Sequence, residues 1–299
     1  MSFQLSTREL EIHERAYKEL KNLISDKTKS VLMKSAKYDA DPVVSKYHEF
    51  SKRYQGYIRE LYEEVQESGL KNTHEKITEL AFNISCADIS EKKKSDIIKT
   101  CTGPDRTPSA MLLFMEGHFY GKSKSGSFCN FLPKYFGKNV TAMLGKTNDV
   151  YETALSNFTT NYRKFKSDNT ELESLGWSLH YAQDITSPPH AGNHPAILPR
   201  FKCNEADTHH YFEKIARERI NDTPDFFMNK AIDIYKELKL YFLSINADLE
   251  KFGNELYNRT SPYINNIRKK KEKKWNIAID ETLPLAIAAT AVLIDESFN

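Results

Sequence analysis

The run His180-Tyr181-Ala182-Gln183-Asp184-Ile185-Thr186-Ser187-Pro188-Pro189-His190, followed by His209-His210-Tyr211-Phe212-Glu213, concentrates imidazoles and carboxylates. His180 and Asp184 are four residues apart, as are His209 and Glu213, so each pair falls on one face of a helical turn. Imidazole nitrogens mixed with carboxylate oxygens, and no thiolate, suit Zn²⁺ better than Fe²⁺ or Mn²⁺. One such pair on its own is ordinarily a core histidine beside a surface acid. Two pairs and a proline-flanked His190 favour metal ligands.

The elements that must carry these side chains read as helices. Leu172, Leu175 and Leu179 give residues 170–186 an apolar stripe that takes His180 toward a core, and Pro188 and Pro189 end that helix and redirect the chain. Helical periodicity also marks residues 8–25, 43–68 (with Gly69 as a stop), 150–166, 208–220, 225–245 and 283–297. Another helix opens at Asn72, with Glu75 completing a capping box and His74, Ile77, Ala81 and Ile84 on one face. The last helix has Thr282 as N-cap and Pro284 in its first turn, and it is apolar nearly all round. Strand alternation is scarce, so an all-α fold is expected. The stretch from Gly121 to Thr147 reads as an exposed loop region.

With 299 residues the chain can bury a large core, and its formal charge of +2 is no signature of nucleic-acid binding. A basic run from Arg268 to Lys274 reads as a solvated loop or helix end, with contact to an anionic lipid surface as the other reading. The apolar stretch Leu283–Ile294 is too short to span a bilayer, so no transmembrane segment is expected. The N-terminal residues lack the basic and apolar regions of a Sec signal peptide. Cys86, Cys101, Cys129 and Cys203 have no CxxC spacing and build no thiolate site; their pairing stays open. Neither a P-loop nor a GxGxxG occurs.

Two upstream elements extend the constellation. Asp105 sits in the turn Gly103-Pro104-Asp105, and His118 in Gly117-His118-Phe119-Tyr120-Gly121. With His74, the candidate ligands run in the order His74, Asp105, His118, His180, Asp184, His190, His209, Glu213. This order resembles the bacterial zinc-dependent phospholipase C family, which includes phosphatidylcholine-preferring enzymes and the alpha-toxin catalytic domain. Thr73-His74, Pro104-Asp105, His118-Phe119-Tyr120, the block from Leu179 to His190-Ala191 with Asn193, and His209 through Phe212-Glu213 carry the likeness.

The resemblance covers about residues 70–299. It implies an N-terminal helical extension over 1–70 and an all-helical catalytic domain over 71–299 with two or three Zn²⁺ ions. By analogy Asp105, His118, His180 and Asp184 hold one ion, and His190, His209 and Glu213 a second. His74 and a bridging Asp184 contribute to a third. The implied activity is attack of metal-bound hydroxide on the glycerol-side phosphodiester of phospholipids at a membrane surface, with Asp105 as a catalytic base. The products would be diacylglycerol and a phosphorylated headgroup.

Family members complete the third site with an N-terminal tryptophan, but here only Trp177 and Trp275 occur, both downstream of His74. A processed amino terminus near 58–66, a carboxylate such as Glu63, Glu64 or Glu67, or an empty third site are the alternatives. Arg106 stands where choline-binding members have tyrosine, so a headgroup contact through Arg106 and no unique preference for phosphatidylcholine are expected. S1/P1 nucleases share the ligand order but carry HxxxD at the last pair, whereas this chain has His209 and Glu213, so lipid is preferred over nucleic acid. A metal-binding helical adaptor without catalysis is the remaining alternative. Export or translocation without a Sec signal is expected from the family's habit, with the cytoplasm as the other location.

Overall fold

A computed structural model describes residues 70–106, His118, Tyr120, 153–192, 204–267 and 272–298, apart from the side chains of 106, 204–208 and 210. The helices expected over 8–25 and 43–68, the loop from Gly121 to Thr147, the Arg106 side chain and the first part of the basic run, residues 268–271, lie outside these residues. Every described element is helical, and no strand occurs among the described residues. The fold class is all-α.

The helix α1 (Thr73–Ile84) starts where Asn72 Oδ1 accepts the His74 N–H at 2.8 Å. The cap is therefore made to the second helical residue, not to Glu75 as the capping-box pattern predicts. Helix α2 (Glu91–Thr100) is capped by Ser90, and the single turn α3 (Gly103–Arg106) follows at once. Helix α4 (Ala154–Ser167) opens with a reciprocal Thr153/Ser156 capping box. It packs along α5 (Leu172–Ile185), whose other sides meet α2 and the last helix.

Surrounded in this way, α5 buries both its apolar residues and its His180, Gln183 and Asp184. Gly176 makes the approach to α2 possible: a Cβ there would lie 2.2 Å from Thr100 Oγ1 and 2.9 Å from its carbonyl carbon. The two prolines end α5 as expected, but Pro188 then opens a new turn, α6 (Pro188–Ala191), in the first position where proline is tolerated.

Helices α7 (Asn204–Asp222), α8 (Pro224–Ser244) and α9 (Leu249–Thr260) follow, then a 3₁₀ turn over Ser261–Tyr263 and the short α10 (Ile264–Ile267). The chain ends in α11 (Glu272–Phe298), which packs on α8, α1 and α5. This corrects the expected start at Leu283 behind a Thr282 cap: the helix begins eleven residues earlier, at Glu272, and Pro284 is internal. An internal proline leaves the carbonyl four residues before it without its helical partner. That carbonyl, of Asp280, accepts instead from Lys230 Nζ of α8 at 3.1 Å. Helix α11 is long and apolar enough to cross a bilayer, yet 83% of its apolar window is buried inside this fold, where it serves as the central helix.

Far along α11, Asp295 is wholly buried and accepts from Ser85 Oγ (2.6 Å), the Cys86 N–H (2.7 Å), Lys239 Nζ (2.6 Å) and the Tyr235 hydroxyl. It thereby ties the end of α1 to α8 and α11.

Candidate metal centre

All eight candidate ligands come together where α1, α3, α5, α6 and α7 meet near His118. Among the described residues, three groups of potential ligand atoms each lie within 4.8 Å of one another: His74/His180/Asp184, Asp105/His118/His180 and His190/His209/Glu213. Asp184 joins them. Its Oδ2 lies 2.8 Å from His118 Nδ1 and 3.2 Å from His180 Nε2, and its Oδ1 lies 3.7 Å from His74 Nε2 and 3.8 Å from His190 Nε2. Asp105 Oδ1 completes one side at 3.5 Å from His180 Nε2 and 3.7 Å from His118 Nδ1. On the other side Glu213 Oε1 stands 2.8 Å from His209 Nε2 and 3.1 Å from His190 Nε2.

Local folding explains the orientation of each ring. His180 Nδ1 donates to the Cys101 carbonyl at 2.8 Å, just before α3, which leaves Nε2 with its lone pair facing the cluster. His118 is held beside His190 because the Tyr120 N–H bonds the His190 carbonyl at 3.3 Å. The Tyr120 ring stacks on Tyr257 of α9, with centroids 3.8 Å apart, and its hydroxyl donates to Asn254. The i,i+4 pairs on α5 and α7 do what their spacing predicts and present both members to one side.

The spacing of these atoms fits a metal ion. Tetrahedral coordination with bonds of about 2.0–2.1 Å separates ligand atoms by roughly 3.3 Å, close to most of the distances above. Asp184 Oδ1 is the sharper indicator: it is buried and accepts no hydrogen bond, yet two imidazole nitrogens stand 3.7 and 3.8 Å away. A buried carboxylate oxygen with no donor is costly unless a cation serves it.

Electrostatics keep the three carboxylates of the cluster ionised. Burial pushes the Asp184 carboxyl up, but His190, His180 and His118 outweigh it and hold the group well below the usual carboxylate range. The same contest, won by His180, His118 and His74, lowers Asp105, and His209 and His190 do so for Glu213. His74 is pulled down to about 4, chiefly by burial and then by His180, so its ring is neutral near pH 7 and available to a cation. Burial opposes charge on His190 as well, but Asp184 and then Glu213 carry it up to about 9.

Access is one-sided. His180, Asp184, His118 and His209 are almost wholly buried, whereas His74, Asp105 and Glu213 retain exposed side-chain area of 17%, 13% and 43%. The last three are the more exposed members of the cluster. The residues that sequence reasoning passed over are the supports: the Cys101 carbonyl, the Tyr120 backbone, and Gln183 with its threonine partners.

The described structure is a helical fold enclosing a histidine–carboxylate cluster suited to divalent metal. No family model and no curated protein matches the chain. Among solved structures, the alpha-toxin of Clostridium perfringens from an avian strain is similar at 17% identity with a TM-score of 0.51, over 76% of this chain and 63% of that one. The alpha toxin of Clostridium absonum is 18% identical, with a TM-score of 0.48, over 77% and 65% of the two chains. This chain spans less than two thirds of the length of either toxin. At such identity the first likeness establishes a shared helical fold.

Proposed function

We propose that this chain is a zinc-dependent phospholipase C that hydrolyses the glycerol-side phosphodiester of phospholipids to diacylglycerol and a phosphorylated headgroup, with residues 71–299 as its catalytic unit. The observation that carries this reading is Asp184, a buried carboxylate whose two oxygens face imidazoles of different ligand groups. Bridging by one carboxylate is how two ions are brought near a single phosphate. The ligand order resembles that family, and the helical fold is shared with alpha-toxin.

His118, His180, Asp105 and Asp184 would hold one ion, His190, His209 and Glu213 a second, and His74 with Asp184 Oδ1 a third. Bound zinc would acidify a water and neutralise phosphate oxygens. The protein supplies the rest. Asp105, kept ionised by three imidazoles and partly exposed, would accept the proton of the attacking water. The buried floor fixes the ligands, and its low polarisability strengthens every charge interaction there.

Parallel assays of the zinc-loaded chain on phospholipid vesicles and on single-stranded nucleic acid test this. Release of diacylglycerol is expected, at a rate that falls more than about a hundredfold in Asp105→Asn. Hydrolysis of nucleic acid alone would replace the proposal with a nuclease, and no hydrolysis of either would leave a metal-binding protein. Choline and anionic headgroups are expected to be turned over comparably, as Arg106 in place of an aromatic residue suggests.

A further inference from the structure

Gln183 lies beside Asp184 on α5 and is buried at 3% exposure, yet it has no place among metal ligands. Its carboxamide links α5 to two other helices, α1 and α11. Gln183 Oε1 is 2.7 Å from His74 Nδ1 on α1, and Gln183 Nε2 is 3.0 Å from Thr78 Oγ1 on α1 and 3.2 Å from Thr290 Oγ1 on α11.

The orientation of an amide is normally ambiguous, but here the hydrogen-bond inventory settles it. Thr78 spends its one hydroxyl proton on the His74 carbonyl at 2.8 Å, and Thr290 spends its own on the Ala286 carbonyl at 2.8 Å. Both threonine oxygens are left only as acceptors, so both must face the amide's NH₂ group. The amide oxygen then faces His74 Nδ1, which must donate to it. A neutral imidazole that carries its proton on Nδ1 has its lone pair on Nε2, the atom 3.7 Å from Asp184 Oδ1.

We propose that Gln183 is a positioning residue that fixes the tautomer and ring plane of His74, so that Nε2 is directed toward Asp184 Oδ1 for metal coordination. The inference rests on His74 being a metal ligand, as in the function proposed above. It extends that reading to a residue that touches neither ion nor substrate. It also explains why a polar side chain is kept in the apolar junction of α1, α5 and α11: all its polar atoms are used, and one of them sets the ring. Partners of this kind change metal affinity by about 10–100-fold when removed.

The test uses the full chain with Zn²⁺ alone as probe, counting ions per chain and measuring each dissociation constant in chelator-buffered metal. His74→Ala is expected to lose one ion. Gln183→Leu should weaken that same ion by about 10–100-fold and leave the others as tight as in the parent. Nitrogen NMR of the metal-free chain should show His74 protonated on Nδ1 in the parent and returned to the usual Nε2–H tautomer in Gln183→Leu. Undiminished binding in Gln183→Leu, alongside loss of an ion in His74→Ala, would overturn the positioning role while leaving the metal reading intact. Full binding in His74→Ala would show instead that His74 holds no ion, and the proposal would fall with that reading. An Nδ1–H tautomer unchanged in Gln183→Leu would assign the effect to packing and also overturn it. If Gln183→Leu does not fold, nitrogen NMR of the metal-free parent near pH 7 decides: His74 should carry its proton on Nδ1, and the usual Nε2–H tautomer would refute the proposal.

Discussion

Asp184 and Asp295 are both almost fully buried aspartates, yet they are treated in opposite ways. Asp295 accepts from two hydroxyls, a backbone N–H and an ammonium, all supplied by the protein. Asp184 meets imidazoles, and its Oδ1 is left without a hydrogen bond. A carboxylate given its full set of donors is finished when the chain folds. One whose neighbours are all potential ligands, and whose oxygen is approached only at 3.7–3.8 Å, is finished when a cation arrives. The first is an anchor between helices, the second part of a centre.

The contrast can be broken most directly at Asp184. Asp184→Asn should lower phospholipid hydrolysis by well over a hundredfold and reduce the zinc content measured by elemental analysis, because ligand loss exceeds the roughly 10–100-fold effect of supporting residues. Retention of metal and activity would sink the contrast. Asp295→Ala should do the reverse, costing about 2–4 kcal/mol in denaturant unfolding with zinc content unchanged. The loss stays below that of a wholly buried pair because Lys239 can reach water. A drop in metal content would show that the two regions are not separable.

Chelation sharpens the same point. An ion present at a hundredfold excess over its dissociation constant stabilises by about 2.7 kcal/mol, so its removal should lower the thermal midpoint of the parent by about 5–10 °C. The shift should shrink in Asp184→Asn and persist in Asp295→Asn.

The smallest effect expected is that of acid on the anchor. Burial raises the Asp295 pKa, but Lys239, Ser85, Tyr235 and the Cys86 N–H outweigh it, so the folded-state value lies below the ordinary 3.8. A depressed folded-state value contributes stability that is complete above the unfolded pKa and is lost as pH falls through the folded one. Denaturation of parent and Asp295→Asn should therefore differ by a constant amount above about pH 5 and converge in stronger acid. A gap that widened on acidification would contradict the anchor's electrostatics.

How far these features were legible depends on how local their causes are. The pairs His180/Asp184 and His209/Glu213 are set by helical geometry, so spacing alone places each pair on one face. The course of α5 and its end at Pro188 are likewise local. Helix α2 went unread because its sequence is mostly charged and buries only Ile97, leaving little periodicity to detect. Helix α9 was legible in principle, since Leu249, Phe252, Gly253 and Leu256 form its buried stripe behind the Asp248 cap. The start of α11 was misplaced because Pro284 reads as a first-turn residue, whereas the carbonyl it orphans is met by Lys230, fifty residues from Asp280. Gln183 could not be read at all, because its orientation is dictated by Thr78 and Thr290, 105 and 107 residues away.

The single available nitrogen of His180 carries a consequence for how the centre fills. Because Nδ1 is committed to the Cys101 carbonyl, only Nε2 remains, and two of the three groups of neighbouring ligand atoms contain it. An ion taking that nitrogen alongside Asp105, His118 and Asp184 would leave the His74 ion with fewer protein ligands, and so the weaker of the two. Titrating metal into the chain should consequently give unequal stepwise constants, with the His74 ion the last to load and the first to leave.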